Sequence, residues 1–205
     1  LLFAGGQGES DGDENSVKMG LAMNQMDSVV FQAWADYLEE AVTEEGTKRG
    51  YEVEFTMTNA NGDVTKQAND IRDLITAGSD VIFAPALDSK TILSSIAEVH
   101  NAGRYFIMYN READDSAVGP QIPDATVNMD SEYQAYAAMV EVFKIMEEDG
   151  VEPRSIIDVH GDIADENAHN RESGFRRAVA EFGWEDRVAQ VVDTGHWEPE
   201  VALQN

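Results

Sequence analysis

The feature that most constrains the fold is a repeat of short apolar runs, polar turns and amphipathic segments, which begins at Val17. Apolar runs start near Val17, Tyr51, Asp80 and Tyr105, and the apolar residues between them recur with helical spacing. Strands that alternate with helices at this spacing predict right-handed crossovers and a parallel sheet covered on both faces. The chain is therefore predicted to have an α/β fold.

The strand compositions predict the order of this sheet. Residues 51–57 alternate between apolar and polar side chains, which is typical of a strand at a sheet edge, whereas residues 81–86 are continuously apolar. We therefore predict that strand two lies at the edge and that strands one and three lie inside, as in a doubly wound sheet with its first strand central. Four glycines are predicted to end helices in the left-handed conformation: Gly46, Gly50, Gly78 and Gly103.

The repeat of strands and helices resumes after a loop at residues 113–123 and continues with predicted strands at 155–160 and 188–193. These few strands are below the usual size of a sheet, so we predict a second lobe whose remaining strands come from further sequence or from a partner. The predicted organisation is a flexible tether or signal remnant at 1–16, a first α/β lobe at 17–126 and a partial second lobe at 127–205. The chain is expected to cross between lobes near residues 126–130.

The amino-terminal residues allow two interpretations. Residues 1–5 resemble the end of a bacterial lipoprotein signal, with Gly6 where the lipid-bearing cysteine would stand. The alternative is an ordinary flexible terminus. Residues 6–16 carry too little apolar surface to fold and are predicted to form the tether.

Composition excludes several classes of function. Forty acidic residues against fourteen basic ones give a net charge of −26, which repels phosphate backbones and excludes nucleic acid as a partner. The chain has no cysteine, so disulfides, a thiol nucleophile and thiolate zinc sites are excluded. No run approaches the ~20 apolar residues of a membrane span.

The motifs of catalysis and cofactor binding do not occur in the sequence. No glycine-rich phosphate loop follows the first strand, where residues 23–28 read Met-Asn-Gln-Met-Asp-Ser. The four histidines do not cluster, and no glycine-flanked serine forms a nucleophile turn. We therefore predict no catalytic residue, no metal site and no cofactor.

Polar residues at strand ends are the candidate ligand site. The apolar run that starts at Tyr105 ends in Asn110 and Arg111, and the carboxyl ends of parallel strands face the crevice where ligands bind. Asp27 and Ser28 precede the first helix, where they would act as amino-terminal caps and could also contact a ligand.

Two residues of the second lobe are further candidates. Arg171 lies in the first part of a predicted helix, where a cation opposes the helix dipole, so it has no local electrostatic reason to be there. Trp197 follows a predicted strand, and its ring could cover the apolar face of a sugar. The alternatives are an ordinary surface arginine and a tryptophan that packs within the lobe.

From about Val17 to Asn205 the chain resembles the type I periplasmic sugar-binding proteins of ABC transporters, most closely their glucose/galactose-binding branch. The resemblance is carried by three segments in order. They are the Tyr-Asn-Arg-Glu strand end at 109–112, the loop from Gly161 to Arg171, and Asp193-Thr194 followed by Trp197, Glu198 and Ala202.

The resemblance implies roles for individual residues. Asn110 and Arg111 would bind sugar hydroxyls from the first lobe, and Arg171 would bind them from the second. Asp165 and Asn167 fall at ligand-facing loop positions, while Trp197 falls at the ring-stacking position. The chain departs from the branch at the first helix, where Ser28 and Val30 stand and Phe31 is the nearest aromatic residue. It also has no counterpart of the branch's calcium-binding loop.

The implied function is that of a monomeric, extracytoplasmic solute-binding component of an ABC importer, periplasmic or lipid-anchored. It would bind a monosaccharide or similar polyol by hinge closure and dock on the permease's transmembrane subunits. Three alternatives remain open: a sensor domain of the same fold, the effector domain of a sugar-responsive repressor, and a doubly wound enzyme. The resemblance does not identify the sugar.

Overall fold

The computed structural model describes residues 15–27, 29–162 and 164–193. The first part of the chain forms a parallel sheet from β1 (Ser16–Met23), β2 (Glu52–Asn59), β3 (Val81–Ala84), β4 (Tyr105–Tyr109) and β5 (Ala125–Val127). The order of this sheet is β2-β1-β3-β4-β5. The prediction of an α/β fold with a parallel sheet is confirmed.

The positions of the first three strands agree with their compositions. β2 lies at the edge and has no fully buried residue, whereas all four residues of β3 are buried. β1 lies inside, between β2 and β3, as predicted. The middle strand is β3 rather than β1, because β4 and β5 both add on the β3 side.

Three helices cover this sheet. They are α1 (Val29–Lys48), α2 (Val64–Thr76) and α3 (Ile92–Asn101). α2 and α3 pack on one face and α1 packs on the other, so the sheet is buried between two layers. Core residues with no exposed surface include Leu21, Met23, Ile71, Ile82, Ile96, Phe106 and Met108.

Three of the four predicted helix-ending glycines have left-handed backbones: Gly50 (φ 82°), Gly78 (φ 84°) and Gly103 (φ 70°). The prediction for Gly46 was wrong, because Gly46 lies inside α1 and is buried. A Cβ at Gly46 would lie 2.3 Å from the Cγ2 atom of Val53 in β2. This glycine therefore allows α1 to approach the edge strand closely and does not end the helix.

The rest of the described chain forms a second α/β unit. It contains α4 (Ser131–Glu148), β6 (Ile156–His160), α5 (Glu166–Glu181) and β7 (Val188–Asp193). Within the described ranges, β6 and β7 form a parallel two-stranded sheet of their own. The predicted lobe boundary after Thr126 falls within β5, which pairs with β4 in the first sheet.

The helices of the second unit pack at close range. A Cβ built on Gly174 of α5 would lie 2.1 Å from the carbonyl oxygen of Glu132 in α4. Only glycine permits this approach of one helix to the backbone of the other. The core between these helices and the second sheet is formed by Val140, Phe143, Phe175, Ala178 and Val179.

The other face of the second sheet is apolar and exposed. Ile157 and Val159 of β6 point to this face and have 58% and 55% of their surface exposed. The two sheets therefore differ in how many of their faces are covered.

Over the ranges that the structure describes, no helix combines the length and the apolar character needed to cross a membrane.

Candidate functional site

Asn110 and Arg111 directly follow β4, at the carboxyl edge of the first sheet. Asn110 has a positive φ of 63°, a conformation that is uncommon for residues other than glycine and favoured by asparagine among them. Its N–H donates to the carbonyl oxygen of Val127 at 2.9 Å. This turn redirects the chain at the edge where parallel α/β sheets bind ligands.

The Arg111 guanidinium is buried and bridges the two units. Its Nη1 donates to the carbonyl oxygens of Ala86 and Leu87, in the loop after β3, at 2.7 and 3.3 Å. Its Nε lies 2.9 Å from Oδ2 of Asp165, at the start of α5. The Nε–H is not aligned for a hydrogen bond with that oxygen, so the contact is an ion pair.

Both partners of this ion pair are removed from water. The side chains of Arg111 and Asp165 are 6% and 3% exposed. Burial lowers the pKa of the Arg111 guanidinium below its ordinary value, while the carboxylates of Asp165 and Asp162 raise it and the charge of Arg171 lowers it. A buried charge pair of this kind is costly to break on one side only.

Asp165 also forms the amino-terminal cap of α5. Its Oδ1 accepts a hydrogen bond from the N–H of Asn167 at 3.0 Å. The neighbouring carbonyl of Ala164 accepts the N–H of Ser89, from the loop after β3, at 3.3 Å. The turn at residues 164–167 is therefore held against the strand-end loops of the first sheet.

Asn167 adds a second polar connection between the units. Its Nδ2 donates to the carbonyl oxygen of Asn110, and its Oδ1 accepts from the hydroxyl of Ser131 at 2.7 Å. Oδ1 also lies 3.5 Å from Nδ2 of Asn128. Asn167 is 2% exposed, so both ends of its amide are used within the protein.

Arg171 lies in the second turn of α5 and is half-buried. Its Nε and Nη2 both lie 3.3 Å from Oε1 of Gln134 in α4. Its charge is close enough to Arg111 to lower the pKa of that residue. The structure thus brings both predicted arginines to the same junction between the units.

An aromatic cluster packs between α1 and the first sheet. The rings of Phe31 and Trp34 in α1 lie edge to face with centroids 5.4 Å apart, and Trp34 lies 6.3 Å from Tyr109. The Tyr109 hydroxyl donates to the Sδ atom of Met23. Burial raises the pKa of Tyr109. Phe31 therefore packs against the core cluster that contains Leu21 and Met23 of β1.

Asp27 is exposed and lies in the bend before α1. Ser28 and Trp197, the remaining predicted ligand-binding residues, lie outside the described residues. The predicted signal remnant at residues 1–5 also lies outside them.

Sequence reasoning missed the residues that support the predicted ones. Asn128 and Ser131 hold the Asn167 amide, and the carbonyls of Ala86 and Leu87 hold Arg111. Ser131 follows the helix cap Asp130, so in sequence it is an ordinary residue of a first helical turn. Backbone carbonyls carry no sequence signal.

A polar cavity of about 390 Å³ adjoins these supporting residues. It is lined by Glu112, residues 128–132 and Asn170. In the part of the chain that the structure describes, no three histidine or carboxylate side chains are grouped so that they could hold a metal ion. The groups at the junction are guanidinium, amide and carboxylate groups, which suit hydrogen bonding to a polar, uncharged ligand.

Comparison with curated proteins gives one relative with partial coverage. The ribose import binding protein RbsB of Bacillus subtilis is 25% identical over 109 residues, which is 53% of this chain and 34% of that protein. The chain therefore spans about a third of the curated relative.

Solved structures share the fold over most of this chain. A solute-binding protein of an ABC transporter from Mycobacterium smegmatis, with bound glycerol, is 25% identical with a TM-score of 0.68, over 88% of this chain and 56% of that one. The fructose binding periplasmic domain of a hybrid two-component system is 19% identical with a TM-score of 0.72, over 89% and 55% of the two chains. The second likeness shows the fold alone.

These neighbours confirm the predicted two-lobe periplasmic-binding-protein fold, of which this chain covers a little more than half. The model of the family described as periplasmic binding protein domain matches residues 19–205. That range includes both α/β units and the junction between them, and the chain therefore belongs to the periplasmic binding protein family, as its resemblance to the type I sugar-binding members predicted.

Proposed function

We propose that the protein binds a monosaccharide or a similar small polyol between two lobes, as the extracytoplasmic solute-binding component of an ABC importer. One observation carries the proposal: Arg111 and Asn110, at the carboxyl edge of the first sheet, contact Asp165 and Asn167 at the start of α5. Donors and acceptors from both units thus converge at the edge where parallel sheets bind ligands.

We assign the first lobe to residues 17–126 and the second to residues from 127 onward. On this assignment Asn110 and Arg111 bind sugar hydroxyls from the first lobe, and Arg171 binds them from the second. In the described residues, Nη1 of Arg111 donates to Ala86 and Leu87, and Nε lies against Asp165. We assign Nη2 to donate to the ligand. Trp197 is assigned to stack on the sugar ring.

The proposed mechanism is hinge closure. The two lobes rotate together around the ligand, and only the closed form makes contacts from both sides, so the difference in affinity drives closure. A ligand with a micromolar dissociation constant has a binding free energy of about 8 kcal/mol in magnitude. Hydrogen bonds to charged groups contribute about 1.5 to 3 kcal/mol each. Several of them, together with ring stacking, can therefore supply this free energy after the entropic cost of ordering the ligand and the side chains is subtracted. No bond of the ligand is made or broken.

A thermal-shift screen of the full-length protein tests this proposal. Pentoses, hexoses, inositols and their phosphates are added one at a time, and a sugar that binds the native state raises the melting temperature in a concentration-dependent way. Titration calorimetry then measures the affinity, and chromatography of the released ligand checks that it is unchanged. If no polyol raises the melting temperature, the proposed ligand class is wrong, and turnover of a sugar would replace the proposal with an enzyme.

The second candidate is a sensor domain that closes around the same class of ligand. It is favoured by one observation, the likeness of the fold to the periplasmic domain of a two-component system. Deletion of the gene separates the candidates, because loss of the importer component abolishes uptake of the sugar, whereas loss of a sensor abolishes only the transcriptional response to it.

A further inference from the structure

The turn at residues 164–167 has two kinds of contact with the first unit. One kind is neutral and involves the backbone, through Ala164 with Ser89 and through Asn167 with Asn110. The other is the ion pair between Arg111 and Asp165, in which both charges are almost fully buried. Rotation of the units away from each other would break all of these contacts.

The two charges have different surroundings once they are separated. Arg111 keeps the carbonyls of Ala86 and Leu87, which belong to its own unit. Asp165 keeps the N–H of Asn167, with which it caps α5. Each charge can also regain water when the units open, so loss of one partner favours opening, because the closed form would then hold an uncompensated buried charge.

We propose that Asp165 is a positioning residue for the binding site: it fixes the Arg111 guanidinium across the junction and stabilises the closed form, without contacting the ligand itself. The inference rests on the proposed function and deepens it. One carboxylate oxygen of Asp165 faces Arg111 and the other accepts the Asn167 N–H, while the side chain is 3% exposed. Ligand affinity then depends on Asp165 through Arg111 and through closure.

The substitution Asp165→Asn separates the two roles of this residue. Asparagine is as good a helix cap as aspartate, so the bond to the Asn167 N–H and the start of α5 are retained. The substitution removes the negative charge opposite Arg111. The matched control is Asp63→Asn, the same change at the cap of α2, where the exposed Asp63 accepts the N–H of Lys66 at 2.9 Å.

The decisive measurement is the distance between the units in the ligand-free, full-length protein. The chain has no native cysteine, so Glu39→Cys in α1 and Glu147→Cys in α4, both at exposed positions, would introduce two labelling sites for single-molecule fluorescence transfer. We expect Asp165→Asn to shift the population from the short to the long distance, and Asp63→Asn to leave it unchanged. An Asp165→Asn protein with the wild-type distribution would overturn the proposal.

A double-substitution cycle distinguishes positioning from a general loss of stability. Arg111→Gln alone should open the ligand-free protein, and adding it to Asp165→Asn should cause no further opening, because both changes remove the same interaction. Additive opening would overturn the proposal. A fall in melting temperature with unchanged distances would also overturn it, since that result is expected of a purely structural residue.

The binding measurement uses D-ribose as the probe. If D-ribose binds, we expect Asp165→Asn to weaken its affinity at least tenfold, and wild-type affinity in this variant would contradict the proposal. The two proposals fail separately. If the wild-type protein binds no sugar but Asp165→Asn shifts the ligand-free protein to the long distance, the positioning role is supported and the proposed ligand is rejected. If the protein binds a sugar but Asp165→Asn leaves the distance between the units unchanged, only the positioning role is rejected.

Discussion

The two parallel sheets of the molecule are buried to different extents. β3 lies in the middle of five strands, with helices on both faces, and all its residues are buried. β6 belongs to a two-stranded sheet whose one face packs on α4 and α5, while Ile157 and Val159 on the other are exposed. The comparison shows that isoleucine side chains in strands stabilise the fold only where the sheet face that carries them is covered, as for Ile82 in β3 but not for Ile157 in β6.

The first prediction compares the same substitution in both sheets. Ile82→Ala in β3 removes a side chain with no exposed surface, and we expect it to lower the free energy of unfolding by about 2 to 5 kcal/mol. Ile157→Ala in β6 removes one that is 58% exposed, and we expect a change within about 0.5 kcal/mol. Urea denaturation of the 205-residue chain measures both. Equal losses would show that the exposed face is covered in solution.

The second prediction compares the two close approaches at glycines. Gly174→Ala places a Cβ against the backbone of α4, which cannot move without displacing the helix, and we expect a loss of about 1 to 3 kcal/mol. Gly46→Ala places a Cβ against the methyl group of Val53, which can rotate away. It also replaces glycine by the best helix former, so the net loss should be smaller. Thermal unfolding of both variants measures the two losses of stability, and a larger loss for Gly46→Ala than for Gly174→Ala would contradict the prediction.

The third prediction separates binding from stability in the second unit. Arg171→Ala should weaken the affinity for a bound sugar at least tenfold, or about 1.4 kcal/mol, because it removes a charged donor from the junction. The melting temperature should change by about 2 °C or less, since Arg171 is not a core residue. The control is Arg176→Ala on the same helix, where the side chain is 57% exposed and pairs with Glu172. Calorimetric titration with unchanged affinity in Arg171→Ala would remove this residue from the site.

The smallest expected effect concerns surface ion pairs between helices. Arg72 of α2 donates to both carboxylate oxygens of Glu98 of α3, at 2.7 and 2.9 Å, and this hydrogen bonding lowers the pKa of Glu98. A lowered folded-state pKa stabilises the protein above the ordinary carboxyl pKa, and the contribution is lost as pH falls through the lowered value. Glu98→Gln should therefore reduce the melting temperature slightly near neutral pH, and this difference from wild type should shrink as the pH falls through the lowered pKa of Glu98.

The corresponding contact of the second unit is weaker. Arg177 of α5 lies 3.5 Å from Glu132 of α4, and both side chains are about half exposed. We expect Glu132→Gln to change the melting temperature less than Glu98→Gln does, because the Arg177–Glu132 contact is longer than the two hydrogen bonds between Arg72 and Glu98. If the difference in melting temperature between wild type and Glu98→Gln did not depend on pH, the stabilising role of the lowered Glu98 pKa would be contradicted.

The sequence predicted those features of the fold that depend on local patterns. Alternation along residues 51–57 identified the edge strand, and the continuous apolar run from Val81 identified an inside strand. Gly46 was misinterpreted because a glycine that ends a helix and one that permits close packing look alike in sequence. The distinction depends on Val53, which meets Gly46 only in the folded protein.

The candidate site was predictable only in part for a similar reason. The polar residues Asn110 and Arg111 at the end of an apolar strand can be recognised in the sequence. They predict a ligand site because the carboxyl ends of parallel strands face the crevice where ligands bind. The partners of Arg111 are two carbonyls and the cap of a distant helix, Asp165. No pattern within the sequence joins them, because their contact depends on how the two units meet.

The left-handed backbone of Asn110 limits how this position can change in evolution. Asparagine, aspartate and glycine tolerate its φ of 63°, whereas β-branched and bulky residues would be strained there. An exchange between asparagine and aspartate alters the charge of this side chain, while the turn is preserved and the carbonyl oxygen of residue 110 still accepts the hydrogen bond from Asn167. If Asn110 binds the ligand as proposed, relatives of this protein can diverge in ligand preference at this position by a single, conformationally neutral substitution.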